Sequence, residues 1–413
     1  MTIQNWEKMD ISPKISFIKG KAPKTLINNP EPGYLLYLTP ELLRGNSPSI
    51  EYCSEKESIS VSNNEVIILW DGSNAGEIFK AKTGALASTM ARINIQSLAI
   101  DSSYLFYFLK NYEYRIKNQV RGSGIPHVDR KVFSELPDDF PVNLSEQRKI
   151  AEILTTVDDA IEQTEALIQK YQRIKQGLMQ DLLTRGVDEN GSLRPPPELA
   201  PHLYIETPQG WLPKGWEISS IKDVCKLITS GSRGWARYYS EDGALFLRIG
   251  NLSRENINLR LDSIQRVNAP KNSEGKRTSV AEGDILISIT ADLGVIGVIP
   301  PDIEEAYCNQ HIALVRVDSS RTNPRWLGHY LASMNGQKQF ILLNDSGAKA
   351  GLNLPTVSSI KFTNPPKEER DTIVRILDHQ DKMIEVEINH RNKFEQLKEG
   401  LMQDLLTGKV RVH

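Results

Sequence analysis

The chain contains 413 residues, and its 50 Lys and Arg residues nearly balance its 52 Asp and Glu residues, giving a formal charge of -2. At roughly 150 residues per domain this length predicts two to three domains, and the near-neutral charge excludes a protein that coats nucleic acid over its whole surface while permitting a local basic face. No apolar run approaches the roughly 20 residues that cross a bilayer, and the sequence starts without the apolar core of a secretory signal, so we expect a cytoplasmic protein with no membrane partner.

The three cysteines, Cys53, Cys225 and Cys308, are far apart in the sequence. Their spacing gives neither a disulfide framework nor a CxxC zinc site. We therefore expect them to be small buried hydrophobic residues.

Residues 1–144 are predicted to form a first globular domain, domain 1. Its basic stretch, 14–44, contains five Lys or Arg residues and two Glu residues, a local excess of +3. Asn74, Arg121 and His127 are polar residues near predicted strand ends. Because a short charged loop is usually just solvated, each position alone is weak support for contact with nucleic acid. The residues of domain 1 that we predict to bind DNA are Lys19, Lys21, Lys24, Arg44, Asn74 and Arg121.

Residues 145–185 are predicted to form a long helix, because apolar positions recur every seven residues in two interleaved series. Additional apolar residues widen this stripe beyond a two-stranded seam, which predicts more than one neighbour. At 1.5 Å per residue, about 38 residues make a rod of about 57 Å. The seam consists of Ile150, Val157, Thr164, Tyr171 and Leu178 with Leu154, Ile161, Ile168, Lys175 and Leu182; the widening residues are Ile153, Ala160, Leu167 and Ile174.

Residues 186–215 contain six prolines, three of them consecutive at 195–197. Proline-rich composition predicts a semi-rigid linker here rather than a core element.

Residues 216–366 are predicted to form domain 2. From 229 to 260 five Arg residues outnumber three acidic residues, a local excess of +2, and they alternate with aromatic and glycine residues. Arg and aromatic side chains in an open loop suit phosphate contact, stacking and bidentate recognition of guanine. Asn309-Gln310-His311 is a further polar cluster near a strand end. The predicted DNA-binding residues of domain 2 are Arg233, Trp235, Arg237, Arg248, Asn251 and Lys349.

Residues 367–413 carry a second long helix and complete an internal repeat. The octapeptide GLMQDLLT occurs at 177–184 and again at 400–407, an offset of 223, and both helices match upstream of it. Weaker matches extend through both domains, for example Trp6-Glu7 with Trp216-Glu217. A repeat this long indicates two homologous domains, each followed by a helix. The helices most economically pair antiparallel, with the alternative that each packs only on its own domain.

Catalytic motifs are not found in the sequence. It contains neither a Gly-rich dinucleotide loop nor a GxxxxGK[ST] phosphate loop. Asn364-Pro365-Pro366 superficially fits a base-methylation motif, but Lys367 stands where an aromatic residue is required, so we interpret it as a strand-to-helix turn. The acidic pair at 138–139 and the seven scattered histidines lack metal-binding or nucleophile spacing. We therefore expect a non-catalytic chain without a metal.

These features together resemble the specificity (S) subunits of Type I restriction–modification enzymes. The resemblance covers essentially the whole chain, and it rests on the order and duplication of several motifs rather than on one. Those motifs are LPKGWE at 212–217, ITSG at 228–231, FLRIG at 246–250, EGDILI at 282–287, SGAK at 346–349, EQRKIA at 146–151 and the two LMQDLLT helix ends.

The resemblance implies an α+β fold: two homologous globular target recognition domains separated by two long, antiparallel, coiled-coil-like helices, with a pseudo-twofold internal repeat. Each domain would recognise one half of a split target in double-stranded DNA. The helices would set the spacer and dock two methyltransferase (M) subunits, with two restriction (R) subunits joining. S-adenosylmethionine, ATP and Mg²⁺ would be bound by those partners, and this chain would carry no cofactor.

The helix residues predicted to contact the partner subunits are apolar and lie on or beside the seam. A competing hypothesis is a coiled-coil adaptor that does not bind DNA. Two departures from the family pattern stand out: domain 1 lacks the Pro-x-Gly-Trp opening, and Arg370 is one residue out of step with Arg148. The predicted partner-binding residues are Ile153, Leu167, Ile174, Leu178, Leu182, Ile376, Leu397, Leu401 and Leu405.

Overall fold

The computed structural model describes residues 9–121, 124–137, 140–207, 210–344 and 351–412. The chain divides into two compact units, Met1–Glu165 with Asn389–His413 (unit 1) and Ala166–Ile388 (unit 2). Each unit contains one globular domain and a part of each of the two long helices. Among the described residues, no helix is both long and apolar enough to cross a membrane.

In unit 1, domain 1 contains a four-stranded antiparallel sheet of order β1-β9-β6-β7 and a five-stranded sheet of order β2-β4-β3-β8-β5. Its elements are β1 (Ile15–Lys19), β2 (Leu26–Ile27), β3 (Tyr34–Leu38), α1 (Pro40–Leu43), β4 (Tyr52–Ser54), β5 (Ser60–Val61), β6 (Val66–Leu69), β7 (Ile78–Lys80), β8 (Gly84–Leu86), β9 (Met90–Ile95), α2 (Ser102–Asn111), α3 (Glu113–Asn118), β10 (Val120–Arg121), β11 (His127–Val128) and α4 (Lys131–Ser134); the first long helix, α5 (Leu144–Leu182), follows.

In unit 2, domain 2 has a four-stranded antiparallel sheet of order β15-β22-β19-β20 and a second sheet of order β16-β18-β17-β21. Its elements, preceded by two strands of the predicted linker, are β12 (Tyr204–Thr207), β13 (Gly210–Pro213), β14 (Glu217–Ser220), α6 (Ile221–Val224), β15 (Cys225–Ser230), β16 (Tyr239–Ser240), β17 (Ala244–Leu247), β18 (Arg266–Val267), α7 (Ser273–Thr278), β19 (Ile285–Ser288), β20 (Ile296–Val298), β21 (Ala306–Cys308), β22 (Ile312–Val317), α8 (Pro324–Ala332), α9 (Met334–Leu343), α10 (Leu354–Ser359) and β23 (Lys361–Asn364); the second long helix, α11 (Lys367–Leu405), follows.

The two domains share one topology, so the sequence repeat is a repeat of the fold. In both, the first strand of the antiparallel sheet pairs with a six-residue strand, β9 in one and β22 in the other. In both, the second sheet contains one parallel pair, β3 with β8 and β17 with β21. The prediction of two homologous domains with long helices is confirmed.

The predicted helical seam is the buried face of α5. Its members Ile150, Leu154, Val157, Ile168 and Leu182 are all less than 9% exposed. Their seven-residue recurrence keeps one side of the helix against neighbouring elements along its whole length. Burial of this apolar stripe is the main stabilising contribution of a helix that is otherwise polar.

Within each unit, segments of α5 and α11 contact each other in opposite directions. In unit 1, Asp158 forms an ion pair with Lys398, and the later Arg411 reaches back to Glu146. In unit 2, the late α5 residues Leu182 and Leu183 share a core with the early α11 residues Ile373 and Leu377. The antiparallel prediction is confirmed, and each segment also packs on a globular domain.

The segment predicted as a linker adds structure to unit 2. Strands β12 and β13 form a hairpin in it, and Val187 and Tyr204 are buried. Arg194 donates to both carboxylate oxygens of Glu369, which also accepts a bond from the backbone N–H of Val187. These bonds attach the segment to the start of α11.

The cysteines match their predicted role in two of three cases. Cys53 and Cys308 are buried, and Cys225 is half-buried. Burial raises the pKa of the Cys308 thiol to about 12, which keeps it protonated and unreactive at neutral pH.

Candidate nucleic-acid interface

In domain 2, polar residues gather where the parallel strands β17 and β21 end. Arg248 directly follows β17, and Asn309 directly follows β21. Because the carboxyl ends of parallel neighbours lie at the same edge of a sheet, the two residues emerge together. The backbone N–H of Asn309 donates to the carbonyl of Leu247 at 2.9 Å, which fixes their relation.

A hydrogen-bond network extends this edge. The side-chain oxygen of Asn309 accepts from the N–H of His311 at 2.8 Å, and the two ring nitrogens of His311 lie 2.8 Å from the Thr290 hydroxyl and 2.9 Å from the Gln310 amide nitrogen. We call Arg248, Thr290 and 309–311, with the loop 231–238 described next, the polar edge of domain 2. Sequence patterns did not identify Thr290, because a single threonine carries no motif.

The loop 231–238, which we call the arginine loop, follows β15 along this edge. It passes so close to β21 that a Cβ on Gly231 would lie 2.2 Å from the carbonyl oxygen of Cys308, so only glycine fits there. Arg233 and Arg237 are exposed, and the Arg237 guanidinium lies 4.8 Å from the centre of the Tyr238 ring. The loop therefore presents two cations at the strand ends.

The structure corrects two predicted DNA contacts. Trp235 is 2% exposed, stacks on Phe246 at 5.4 Å and donates its indole N–H to Glu274. Asn251 is 2% exposed, and its amide donates to the carbonyls of Arg260 and Ser263. Both side chains are fully engaged in the interior, so they support the fold of the edge instead of contacting DNA.

Domain 1 places its basic segment at the equivalent position. Gly20 follows β1 as Gly231 follows β15, and a Cβ there would lie 2.2 Å from the carbonyl oxygen of Ala87, just after β8. Lys19, the last residue of β1, forms an ion pair with Asp71 at 2.6 Å. Lys21 and Lys24 follow in an exposed loop, and Lys24 pairs with Glu57 at 3.2 Å.

Arg121 and Asn74 lie near Lys19. Asp71, the partner of Lys19, forms a backbone bridge with His127, which in turn faces Arg121 across the hairpin of β10 and β11. Asn74 is exposed in the turn that follows Asp71. Arg121 forms an ion pair with Asp129 at 2.6 Å and is itself mostly exposed. The structure thus brings together the sequence-predicted residues Lys19, Asn74 and Arg121.

Arg44 has a different environment. Its guanidinium donates to both carboxylate oxygens of Glu77, and this bond raises the pKa of Arg44. Burial works to raise the pKa of Glu77, but the bond and the charge of Arg44 outweigh it and the pKa is lowered. Arg44 is a structural ion-pair partner in this fold. Lys349 lies outside the residues that the structure describes.

The predicted partner-binding residues of the long helices fall into three groups. Leu182 and Leu405 are 3% and 2% exposed and belong to the cores, so the prediction that they contact a partner is wrong. The half-buried members pack against the same cores; they are Ile153, Leu178, Ile376 and Leu401. Leu167, Ile174 and Leu397 are 37%, 41% and 50% exposed and remain available to a partner.

Unit 2 also contains a buried ionic cluster that no sequence spacing revealed. His329 of α8 and Asp378 and Asp381 of α11 place their side-chain N and O atoms within 4.8 Å of one another. Two cations already balance the carboxylates: Lys175 lies 2.5 Å from Asp381, and Arg325 lies 2.6 Å from Asp378. We therefore assign an ion network here, and not a metal centre.

Unit 1 contains a cluster at the equivalent position, in which a tyrosine and a threonine replace the histidine and one of the aspartates. Tyr107, at the position equivalent to His329, donates to Asp158 at 2.6 Å, and Thr155 takes the place of Asp378. Burial, followed by the bond to Asp158, raises the pKa of the Tyr107 hydroxyl, so it stays protonated as the donor.

Comparison with known proteins agrees with this architecture. The family described as "Type I restriction modification DNA specificity domain" matches residues 3–173 and 213–398. The MjaVIII specificity subunit of Methanocaldococcus jannaschii is 31% identical over 415 residues, covering 99% of this chain and 94% of that protein. The EcoBI specificity subunit of Escherichia coli is 20% identical, covering 90% and 78%. The solved S subunit of a Type I restriction-modification system from M. genitalium has the same fold, with a TM-score of 0.63 and 16% identity over 97% of this chain and 96% of that chain. The chain therefore belongs to the family of Type I restriction–modification DNA specificity proteins.

Proposed function

We propose that this chain selects the DNA target of a Type I restriction–modification complex, with each domain recognising one half of a bipartite site. The observation that carries the proposal is the recurrence of one arrangement: in both domains a basic loop leaves the first strand of the antiparallel sheet beside an obligatory glycine. Family membership gives the assignment its context.

The chemistry of the polar edge of domain 2, together with that of the basic loop of domain 1, suits both parts of DNA recognition. Exposed Arg233, Arg237, Lys21 and Lys24 supply the cations that contact phosphates and displace counterions. The amides of 309–310 and the Arg guanidinium groups supply the donors and acceptors that distinguish base pairs in the major groove. Phosphate contacts would set the position of each domain, and the polar edge would select the sequence.

The long helices are proposed to set the spacer between the two half-sites and to bind two methyltransferase (M) subunits, with two restriction (R) subunits completing the assembly. Exposed apolar residues on a helix that already buries a full seam support a partner there, namely Leu167, Ile174 and Leu397. S-adenosylmethionine, ATP and Mg²⁺ are proposed to be bound by those partners, and catalysis to be theirs.

The decisive experiment exchanges residues 216–365 for the corresponding segment of a relative with a different target. The hybrid is assembled with its methyltransferase, and methylated bases are mapped. We expect one half of the target to change and the other half and the spacer to remain. A change in both halves, or in neither, would contradict the proposal.

A second variant separates recognition from spacing. Repeat-equivalent insertions of one helical turn in α5 and α11 should lengthen the spacer and leave both half-sites unchanged.

The adaptor hypothesis, in contrast, expects DNA binding of the assembled complex to be insensitive to salt between about 50 and 200 mM, because no phosphates would be neutralised.

A further inference from the structure

Helix α7 contacts the arginine loop from one side through Arg277. Its guanidinium donates to the hydroxyl of Thr229 at 2.6 Å, to the carbonyl of Ser230 and to the hydroxyl of Ser232 at 2.5 Å. Three acceptors on four consecutive residues thus share one rigid, planar group. Arg277 therefore fixes the point where β15 ends and the loop begins.

Glu274, one turn earlier on α7, holds the middle of the same loop. Its carboxylate accepts the indole N–H of Trp235 at 2.7 Å. This bond, with another from Ser232 and the nearby charges of Arg237 and Arg277, lowers the pKa of Glu274, so it is ionised at neutral pH. The ring of Trp235 is locked in turn between Phe246, Tyr238 and Tyr307.

The other side of the loop is closed by backbone. Gly231 lies against 308–309, with no room for a Cβ. Between this contact and α7, the loop is held at its first residue, at Ser232 and at Trp235. Of the loop residues, Arg233 and Arg237 are the ones that project as exposed cations. Because the loop already has this shape in the free protein, it loses little conformational entropy when it binds.

We propose that Arg277 and Glu274 are specificity-positioning residues of domain 2. They hold the arginine loop in the one shape in which Arg233 and Arg237 contact the DNA backbone while the polar edge meets the correct bases, and they act through the loop without touching the DNA. The proposal rests on the proposed function. We call the contacts of Arg277 and Glu274 with the arginine loop the brace. Without the brace the loop keeps its charges but can adapt to incorrect sequences, so discrimination between sequences falls more than affinity does.

The test uses the complex assembled with its methyltransferase subunits. The methylation rate is measured on the cognate duplex and on duplexes with one substitution in either half-site. The variants are Arg277→Met, Ser232→Ala and Glu274→Ala, which removes the acceptor of the Trp235 indole N–H, and Lys276→Met is the matched control, an exposed cation on the same helix.

We expect each brace variant to lower the discrimination between correct and incorrect bases by about tenfold at the half-site of domain 2 and to leave the other half-site unchanged. Ser232→Ala removes one of the three contacts that Arg277→Met removes, so the combined effect of the two substitutions should be less than additive. The control should retain full discrimination at both half-sites.

Unchanged discrimination in folded brace variants would overturn the proposal. If Arg277→Met does not fold, Ser232→Ala, which removes only one hydroxyl oxygen, provides the same test. A salt slope that falls by about one phosphate in Arg277→Met but not in Ser232→Ala would also overturn it, because it would mean direct contact of Arg277 with DNA. Failure of the proposed function shows elsewhere, as a domain exchange that leaves the target unaltered.

Discussion

Lys175 and Asp381 form an ion pair of 2.5 Å inside unit 2, where the two side chains are 8% and 0% exposed. Unit 1 contains the repeat equivalent of this pair, Lys398 with Asp158, at 2.6 Å. The equivalence is crossed, because each long helix supplies the lysine of one pair and the aspartate of the other. The repeated helices therefore have repeated contacts.

Replacing Lys175 by Met should destabilise unit 2 by about 3–5 kcal/mol, since it leaves Asp381 charged and buried without its cation. Lys398→Met is the matched control. It should cost at most about 1 kcal/mol, because that pair is more exposed and Asp158 retains the bond from Tyr107. Urea unfolding of both variants measures the difference. Equal losses would show that burial does not distinguish the pairs.

The unfolding free energy should depend on pH because of His329, whose side chain is fully buried. Burial lowers its pKa below the ordinary 6.5, and the bond to Asp378 offsets this only partly. The unfolded chain therefore takes up a proton below pH 6.5 that the folded chain does not, so the unfolding free energy falls as the pH falls, by at most about 1.4 kcal/mol per pH unit.

The other charged groups that face His329 are Asp378, Asp381, Lys175 and Arg325. Burial works to raise the pKa of Asp378, but bonds from His329 and Arg325 lower it, so its contribution is lost only as the pH falls below its ordinary 3.8. The His329→Asn variant should lose the dependence between pH 6.5 and 4.5, below which the lowered pKa values of Glu77 and Glu274 also contribute, while His379→Asn, at an exposed position, should keep it. Unfolding at a series of pH values between 4 and 7 tests this, and an unchanged slope in His329→Asn contradicts it.

The long helices were predictable from sequence, because the seven-residue recurrence of apolar residues has one physical solution. Even Lys175 was placed correctly in the seam. Its partner Asp381 could not be predicted, because residues more than 200 positions apart in the sequence come together only in the folded chain. The one-residue offset between Arg370 and Arg148 is likewise explained only by the fold. Arg370 is the repeat equivalent of Gln147, and each of these two side chains donates hydrogen bonds to chain segments that precede its own helix.

Arg233 tests the phosphate role of the arginine loop. In the assembled complex, Arg233→Ala should weaken DNA binding and lower the slope of log affinity against log salt by about one, as expected for one lost phosphate contact. Lys226→Ala is the matched control, because Lys226 is exposed near the start of β15, at the end of that strand away from the arginine loop, and pairs with Asp318. Equal effects of the two substitutions would place the DNA elsewhere on domain 2.

Composition identified the basic loops but could not separate their exposed residues from their buried ones. Arg237 and Trp235 stand two positions apart in one short loop, yet one is exposed and the other is 2% exposed. Only the packing against Phe246 and the bond to Glu274 decides between them. Aromatic residues beside arginines suit stacking on bases and burial in a core equally well.

Trp235→Leu distinguishes these two roles. Loss of the stacked ring and of the indole bond should destabilise domain 2 by about 2–4 kcal/mol, in the range for large core truncations. Below the unfolding transition, the salt slope of DNA binding should remain that of the unaltered protein, because a buried indole neutralises no phosphate. Urea unfolding and binding titrations at several salt concentrations give the two readouts. A variant with unchanged stability and weaker binding would restore Trp235 as a direct contact, since only an indole that leaves the core to stack on a base would produce that combination.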